Sequence, residues 1–173
     1  MNFKDLAAAR YSVRKFLDRP VEQEKLDLIL EAGRKAPTAG NRQPHRILAV
    51  NQEEGLKKVD LCTRCRFGAP AVLIVAYDKA EYWVRSFDGE NSGPVDASIV
   101  TTHLMLQATD IGLGTTWVMF FDPAKTAAEF KFPENLVPVA FLPLGYPTPD
   151  AAPADRHAQR HPREKIVYYN DFS

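Results

Sequence analysis

The sequence predicts an α+β fold: a mixed central β-sheet flanked by helices, continued by an extended C-terminal arm. Three observations carry this prediction. Ala71 to Tyr77 (AVLIVAY) is an uninterrupted apolar run rich in β-branched residues, the pattern of a strand buried on both faces. Val95 to Ile111 is a long helical pattern whose apolar residues surround its axis, which places it in the core or at a subunit interface. From Thr148 to Pro162 the chain is poor in apolar residues and carries Pro149, Pro153 and Pro162, so it reads as an extended arm. Residues 1–147 form the expected core and 148–173 the arm of the same domain.

The elements follow in order. Residues 2–10 read as a short helix with Phe3, Leu6 and Ala7 on one face. After Pro20, Leu26, Ile29, Leu30 and Gly33 recur at helical spacing, opposite Glu22, Glu24, Lys25, Asp27 and Glu31. This helix stops before Pro37, because the residue preceding proline disfavours the helical region. Ala36 to Asn41 is a loop by composition. Arg46 to Asn51 is strand-like. Glu53 to Arg66 reads as a helix, acidic at its start and basic at its end, as the helix dipole favours. Residues 86–93 form a polar loop, and Pro94 opens the apolar helix that Gly112 ends. Thr115 to Phe121 (TTWVMFF) reads as a strand. Asp122 and Pro123 are an N-cap and first-turn pair for a helix to about Phe130. Val137 to Tyr146 is the last core strand, in which Pro138 and Pro143 argue for bulges or an edge. Ile166 to Tyr169 is a short stretch able to pair as a strand.

Composition bounds the function. The chain has 173 residues, with 22 Lys+Arg against 22 Asp+Glu, and 45% of it is hydrophobic. Zero net charge argues against nucleic acid as partner, and the apolar content argues against a disordered tail protein. A chain of this size buries about 70% of its unfolded surface, enough for one core. No apolar stretch reaches the ~20 residues of a membrane helix, and the N-terminus lacks a basic flank followed by an apolar run. The expected location is the cytoplasm, with no membrane partner.

Most standard chemical signatures are absent. Gly112-Leu113-Gly114 has Trp117 where a dinucleotide fingerprint needs glycine, so it reads as a helix C-cap leading into a strand. Cys62 and Cys65 form a C-x-x-C beside Arg64 and Arg66, but late in a predicted helix, where a thioredoxin-like dithiol would open one. His157 and His161 lie too far from these cysteines for zinc-finger spacing, and no metal site is expected.

Two stretches stand out. Arg10, Ser12 and Arg14 share a face if extended, and guanidinium forks with a hydroxyl suit a phosphate; a solvated basic turn is the alternative. Ala36 to His45 (APTAGNRQPH) combines small residues with the amides Asn41 and Gln43, so it is either a cradle for a flat ligand or a plain connection.

On these stretches the chain resembles the nitroreductase-like, FMN-dependent oxidoreductases. Members look like R-R-S-x-R-x-F near the N-terminus, which stands here as Arg10 to Phe16. Their A-P-S-x-x-N-x-Q-P-W stands as Ala36 to His45. Their apolar helix running into G-L-G-x-x-W-[IV]-G stands as Asp96-Ala97-Ser98 leading on to Gly112 to Met119, and their closing R-K-P-x-E-x-[IV]-V as His161 to Val167. The resemblance implies a homodimer with FMN at the interface and the C-terminal arm embracing the other subunit. It implies that Arg10, Tyr11, Ser12, Arg14 and Arg163 hold the phosphate and ribityl region. Pro37, Thr38 and Ala39 would lie against the isoalloxazine from the other subunit, with Asn41 and Gln43 nearby and Trp117, Val118 and Met119 at its N5/O4 edge. It further implies NADH or NADPH as electron donor. Hydride would pass through flavin N5, with ping-pong kinetics, to a nitroaromatic, quinone or similar flat electrophile, and no side-chain acid or base is required. The alternative is a flavin-binding sensor or storage module without turnover. Tyr11, His45 and Met119 stand where the family commonly has Arg or His, Trp, and Gly.

Overall fold

The computed structural model describes residues 1–172. Four strands form one sheet in the order β1-β2-β4-β3. Strand β2 (Ala71–Asp78) is buried along its whole length, as its apolar run predicts. It lies between β1 (His45–Val50) and β4 (Leu136–Gly145), and β4 in turn carries the two-residue β3 (Gly114–Thr115). Every pairing between these strands is antiparallel. The mixed character expected from sequence is confined to one parallel bridge, Ser12 to Thr115.

Alternation along β2 divides the core. Leu73, Val75 and Tyr77 face α2 (Gln23–Arg34) and α4 (Gly93–Asp110), where Leu26, Ile29, Val100 and Leu104 complete the larger cluster. Val72 and Ile74 face α3 (Glu53–Cys62) and α5 (Pro123–Glu129), with Val59, Cys62 and Phe141 buried between. Phe121 stacks on Phe141 at 4.7 Å. Helices therefore cover both faces of the sheet, and the short α1 (Phe3–Ala9) packs on α4.

Helix α4 reads as apolar all round in part because its hydroxyl side chains turn back on their own backbone. The hydroxyls of Ser98, Thr101, Thr102 and Thr109 each donate to the carbonyl four residues earlier. In the single chain Val95 remains 60% exposed. Among the described residues, no helix is long and apolar enough to cross a membrane.

The two prolines of β4 behave as their missing N–H dictates. Pro138 flanks a bulge, where the register passes from Val75↔Ala140 to Ala76↔Pro138. Pro143 accepts from Thr116 N at 3.2 Å but returns no hydrogen bond. That gap corrects the strand expected over Thr115 to Phe121. Pairing stops at Thr115, resumes only as the Val118–Phe141 bridge, and gives way to a turn.

Two further expectations are corrected. The helix expected to reach Arg66 ends at Cys62, where extended Thr63 takes the Cys65 amide on its hydroxyl at 3.1 Å. Ile166 to Tyr169 pairs with no strand among the described residues. It follows a 3₁₀ turn, Arg163–Lys165, and is exposed. The Asp122 cap holds as expected, its carboxylate accepting Lys125 N at 2.9 Å.

Candidate active site

The first wall of the site is the segment after α1. Val13, buried at 2% exposure, donates its amide to Thr115 O at 2.9 Å, and its carbonyl accepts the Thr116 hydroxyl. This seam is tight: a Cβ on Gly114 would lie 2.5 Å from Val13 Cγ2. With Val13 locked inward, Ser12 and Arg14 point the other way, as alternation in an extended segment demands.

The base of the arm closes over them. Thr148 N donates to Lys15 O at 3.1 Å, and Lys15 Nζ meets Asp150 at 2.6 Å. That contact, with help from Thr148, lowers the Asp150 carboxyl to about 2. The Tyr11 hydroxyl donates to Ala151 O at 3.2 Å, and its ring meets His157 edge-on. Together Tyr11, Ser12, Arg14, Ala154, Arg156 and His157 line a cavity of about 420 Å³. Two guanidinium groups, the Ser12 hydroxyl and the His157 imidazole make a donor set suited to a phosphate, while the Tyr11 hydroxyl proton is already given to Ala151 O.

Not every residue singled out in the sequence reaches this cavity. Arg10 caps the end of α1, donating its amide to Leu6 O. Arg163 lies further along the arm, with its guanidinium on the Tyr169 hydroxyl at 2.6 Å. Arg156 and His157 hold the positions on the arm side instead. The basic run Arg156, Arg160, Arg163 and Lys165 was the legible signal for Arg156, but no spacing rule distinguishes one arginine of an extended arm from another.

The second wall, the loop between α2 and β1, does not line this cavity in the single chain. Gly40, Asn41 and Gln43 adopt left-handed backbone angles, with φ of 57°, 52° and 50°. Such a run is costly for side chains other than Gly and Asn and persists only where its surroundings impose it. The restraints are visible. Thr38 Oγ1 accepts Gln43 N at 3.0 Å, and Asp96 Oδ1 accepts Ala39 N at 2.9 Å. Asp96 is 1% exposed and also accepts the Ser92 hydroxyl at 2.7 Å. Pro37, Asn41 and Gln43 are exposed, while Thr38 and Ala39 are half-buried. His45 begins β1 beside this loop. Burial first, then the Arg46 charge, lowers its pKa against the pull of Asp96.

The third wall is the turn after β3. Trp117 is half-buried and Val118 buried, whereas Met119 and Phe120 are 72% and 64% exposed. The Phe120 carbonyl accepts the Thr63 hydroxyl at 2.5 Å, and Arg64 lies over the Phe120 ring. Cys62 packs in the core beneath, its thiol pKa raised by burial. A buried thiol of this kind is a packing residue, not a reactive thiolate.

The sequence model of the nitroreductase family matches residues 7–67 and 59–146, which span all three walls. The chain belongs to the nitroreductase family. Among solved structures, a nitroreductase family protein from Clostridium difficile 630 is 42% identical, with 99% of each chain covered and a TM-score of 0.93. A protein described as an FMN-dependent nitroreductase from Clostridium difficile R20291 is 26% identical, with 96% and 98% covered and a TM-score of 0.77. Among curated proteins, the FMN reductase (NAD(P)H) of Bacillus subtilis strain 168 is 27% identical over 92% of this chain and 71% of its own length. In this chain, then, the donor-lined cavity, the strained 36–43 loop and the 117–120 turn are set on one fold, with Ser12 bridged to Thr115 between the first and third walls.

Proposed function

We infer that the chain is an FMN-dependent NAD(P)H oxidoreductase acting in the cytoplasm on a small flat electrophile such as a nitroaromatic or quinone. The carrying observation is the cavity of Tyr11, Ser12, Arg14, Arg156 and His157, whose cationic and hydroxyl donors fit the phosphate end of FMN. The relatives named for FMN and NAD(P)H support the same assignment. Bound FMN would supply the two-electron chemistry by which hydride from NADH or NADPH reaches a second substrate.

The chain's own residues do the rest. Arg14 and Arg156 neutralise the phosphate, Ser12 orients it, and Tyr11 lines the site while bracing the arm through Ala151 O. Pro37, Thr38 and Ala39 present small groups against a flat ring, with Asn41 and Gln43 beside it. Trp117, Val118 and Met119 edge the same ring. The left-handed backbone at Gly40 and Asn41 fixes the loop before any ligand arrives, which lowers the ordering cost of binding. Met119, exposed where the family commonly has glycine, narrows the approach of the second substrate.

The site is completed in a homodimer. The incompletely buried α4 supplies an apolar face, and the exposed arm beyond His157 carries Arg163, which would reach the other subunit and its FMN. The experiment is steady-state oxidation of NADH and of NADPH by the purified protein with a nitroaromatic or a quinone. Turnover that depends on FMN supports the assignment. Flavin binding without turnover would instead assign a sensor or storage module, and colourless protein that takes up no FMN a dimer with a simple anion site.

A further inference from the structure

The hairpin between β2 and α4 is used by none of the three walls, yet it is fastened to the second. Trp83 N donates to Ser92 Oγ at 3.1 Å, and Ser92 N donates back to Trp83 O at 2.9 Å. The Ser92 hydroxyl in turn donates to Asp96, the same buried carboxylate that holds Ala39 N. Asp96 thereby fixes Trp83 and the 36–43 loop in one frame. The side chains converge: a Cβ on Gly40 would lie 3.6 Å from Trp83 Cδ1 and 3.8 Å from Arg42 Cγ.

Trp83 is 40% exposed, and Arg42 is also exposed. Among the described residues neither the Arg42 guanidinium nor the Trp83 indole N–H has a partner. The hairpin is itself ordered by an Arg85–Asp88 ion pair and the Val84–Asn91 bridge. An electron-rich indole and a free guanidinium therefore belong to side chains that flank Gly40 at the edge of the proposed flavin loop. Such a pair stacks on an electron-poor ring and takes a negative charge on that ring.

We propose that Trp83 and Arg42 are specificity-determining residues for the oxidant, selecting an electron-poor aromatic ring that carries an anionic group, of which a nitrobenzoate is the simplest probe. The assignment rests on the oxidoreductase function proposed for this site. Trp83 supplies the stacking face, Arg42 the charge contact, and the Ser92–Asp96 relay keeps both in place.

The test uses the FMN-loaded protein, with kcat and KM measured for para-nitrobenzoate, para-nitrobenzamide and ferricyanide. Trp83→Ala is expected to raise KM for both nitroaromatics about three- to tenfold relative to ferricyanide, with Trp83→Phe recovering most of the loss. Arg42→Gln is expected to raise KM for para-nitrobenzoate about two- to fivefold and to leave para-nitrobenzamide behind it unshifted. Parallel changes for all oxidants, or unchanged KM values, overturn the proposal. So does a rise in KM for the nicotinamide nucleotide alone, which would give the pair to the donor. Calorimetric binding of para-nitrobenzoate to the oxidised protein separates the two levels. Weakened binding in both variants supports the recognition pair even without turnover, and equal binding overturns it. Failure of wild-type protein to bind FMN or oxidise either nucleotide overturns the oxidoreductase function itself.

Discussion

Asp96 accepts the backbone amide of Ala39 at 2.9 Å, a contact that spans 57 positions of sequence and ties the first turn of α4 to the strained loop before β1. The carboxylate is buried, so its hydrogen bonds are not exchanged for water without cost. Removing it leaves Ala39 N and the Ser92 hydroxyl proton without their acceptor. Asp96→Ala is therefore expected to destabilise the protein by about 1–3 kcal/mol in urea denaturation and to weaken FMN binding. Asp96→Asn keeps one acceptor for Ala39 and is expected to lose less of both. Equal stability for Asp96→Ala and wild type would contradict the role of this contact.

The phosphate assignment yields a ranking. Arg14 and Arg156 line the cavity, whereas Arg163 is held against Tyr169. Arg14→Ala and Arg156→Ala are each expected to raise the FMN dissociation constant about tenfold or more, as loss of a charge-assisted hydrogen bond predicts. Arg163→Ala is expected to have the smaller effect within a protomer and to act through dimer assembly. Equilibrium FMN titration of the three variants, beside sedimentation, measures the order.

The Val13–Gly114 seam predicts a steric coupling. Gly114→Ala places a methyl group 2.5 Å from Val13 Cγ2, and the strain falls on the segment that presents Ser12 and Arg14. The expected cost is about 1–3 kcal/mol of stability with weaker FMN binding. Val13→Ala in the same chain is expected to restore part of the stability, since it removes both colliding methyls and leaves only the Cβ contact at 2.8 Å. A double variant no more stable than Gly114→Ala would refute the coupling.

Outside the site, Tyr146 organises a surface cluster whose pH behaviour is predictable. Its hydroxyl donates to Glu22 at 2.6 Å, while Arg19 and Lys25 flank its ring at 4.1 and 4.8 Å. The Tyr146 hydrogen bond, then the Glu22 backbone and Arg19, lowers the Glu22 carboxyl from 4.5 to about 2. A lowered carboxyl contributes stability above its ordinary value and loses it as pH falls from 4.5 through about 2. Glu22→Gln should therefore melt below wild type near neutrality, and the two melting temperatures should converge towards about pH 2. A gap that stays constant with pH would show that the charge is not involved.

Met119 gives a prediction about selectivity. It is 72% exposed at the turn that follows β3, so it bears on the space above the turn more than on the backbone that forms it. Met119→Gly is expected to change the profile of oxidants more than the FMN affinity. An unchanged profile with lost FMN would contradict this.

Much of the fold was legible because local patterns and tertiary needs agreed. The apolar run of β2, the Asp122–Pro123 start of α5 and the prolines of β4 all appear where the sequence pattern puts them. The failures have a common physical origin in long-range contacts. TTWVMFF has strand composition, but Pro143 on the facing strand has no N–H to extend the ladder past Thr115. The helix after Glu53 stops early because Thr63 finds partners in Phe120 and Cys65.

The same holds for the site. Arg10, Ser12 and Arg14 were visible as a local cluster, and the structure keeps Ser12 and Arg14 in the cavity. Arg156 and His157 were hidden in the arm, whose path is set by Tyr11 and Lys15 and not by its own sequence. Asp96 read as one polar residue on an apolar helix. Only its two hydrogen bonds show that it joins the Trp83 hairpin to the 36–43 loop.

The most direct measurement is the visible absorption spectrum of the purified protein, followed by anaerobic titration with NADH and with NADPH. The account predicts a yellow protein, or one that becomes yellow with added FMN, whose visible flavin band is lost on adding at least one nucleotide and returns on adding a nitroaromatic or quinone. A protein that takes up no FMN, or whose band survives both nucleotides, would contradict it.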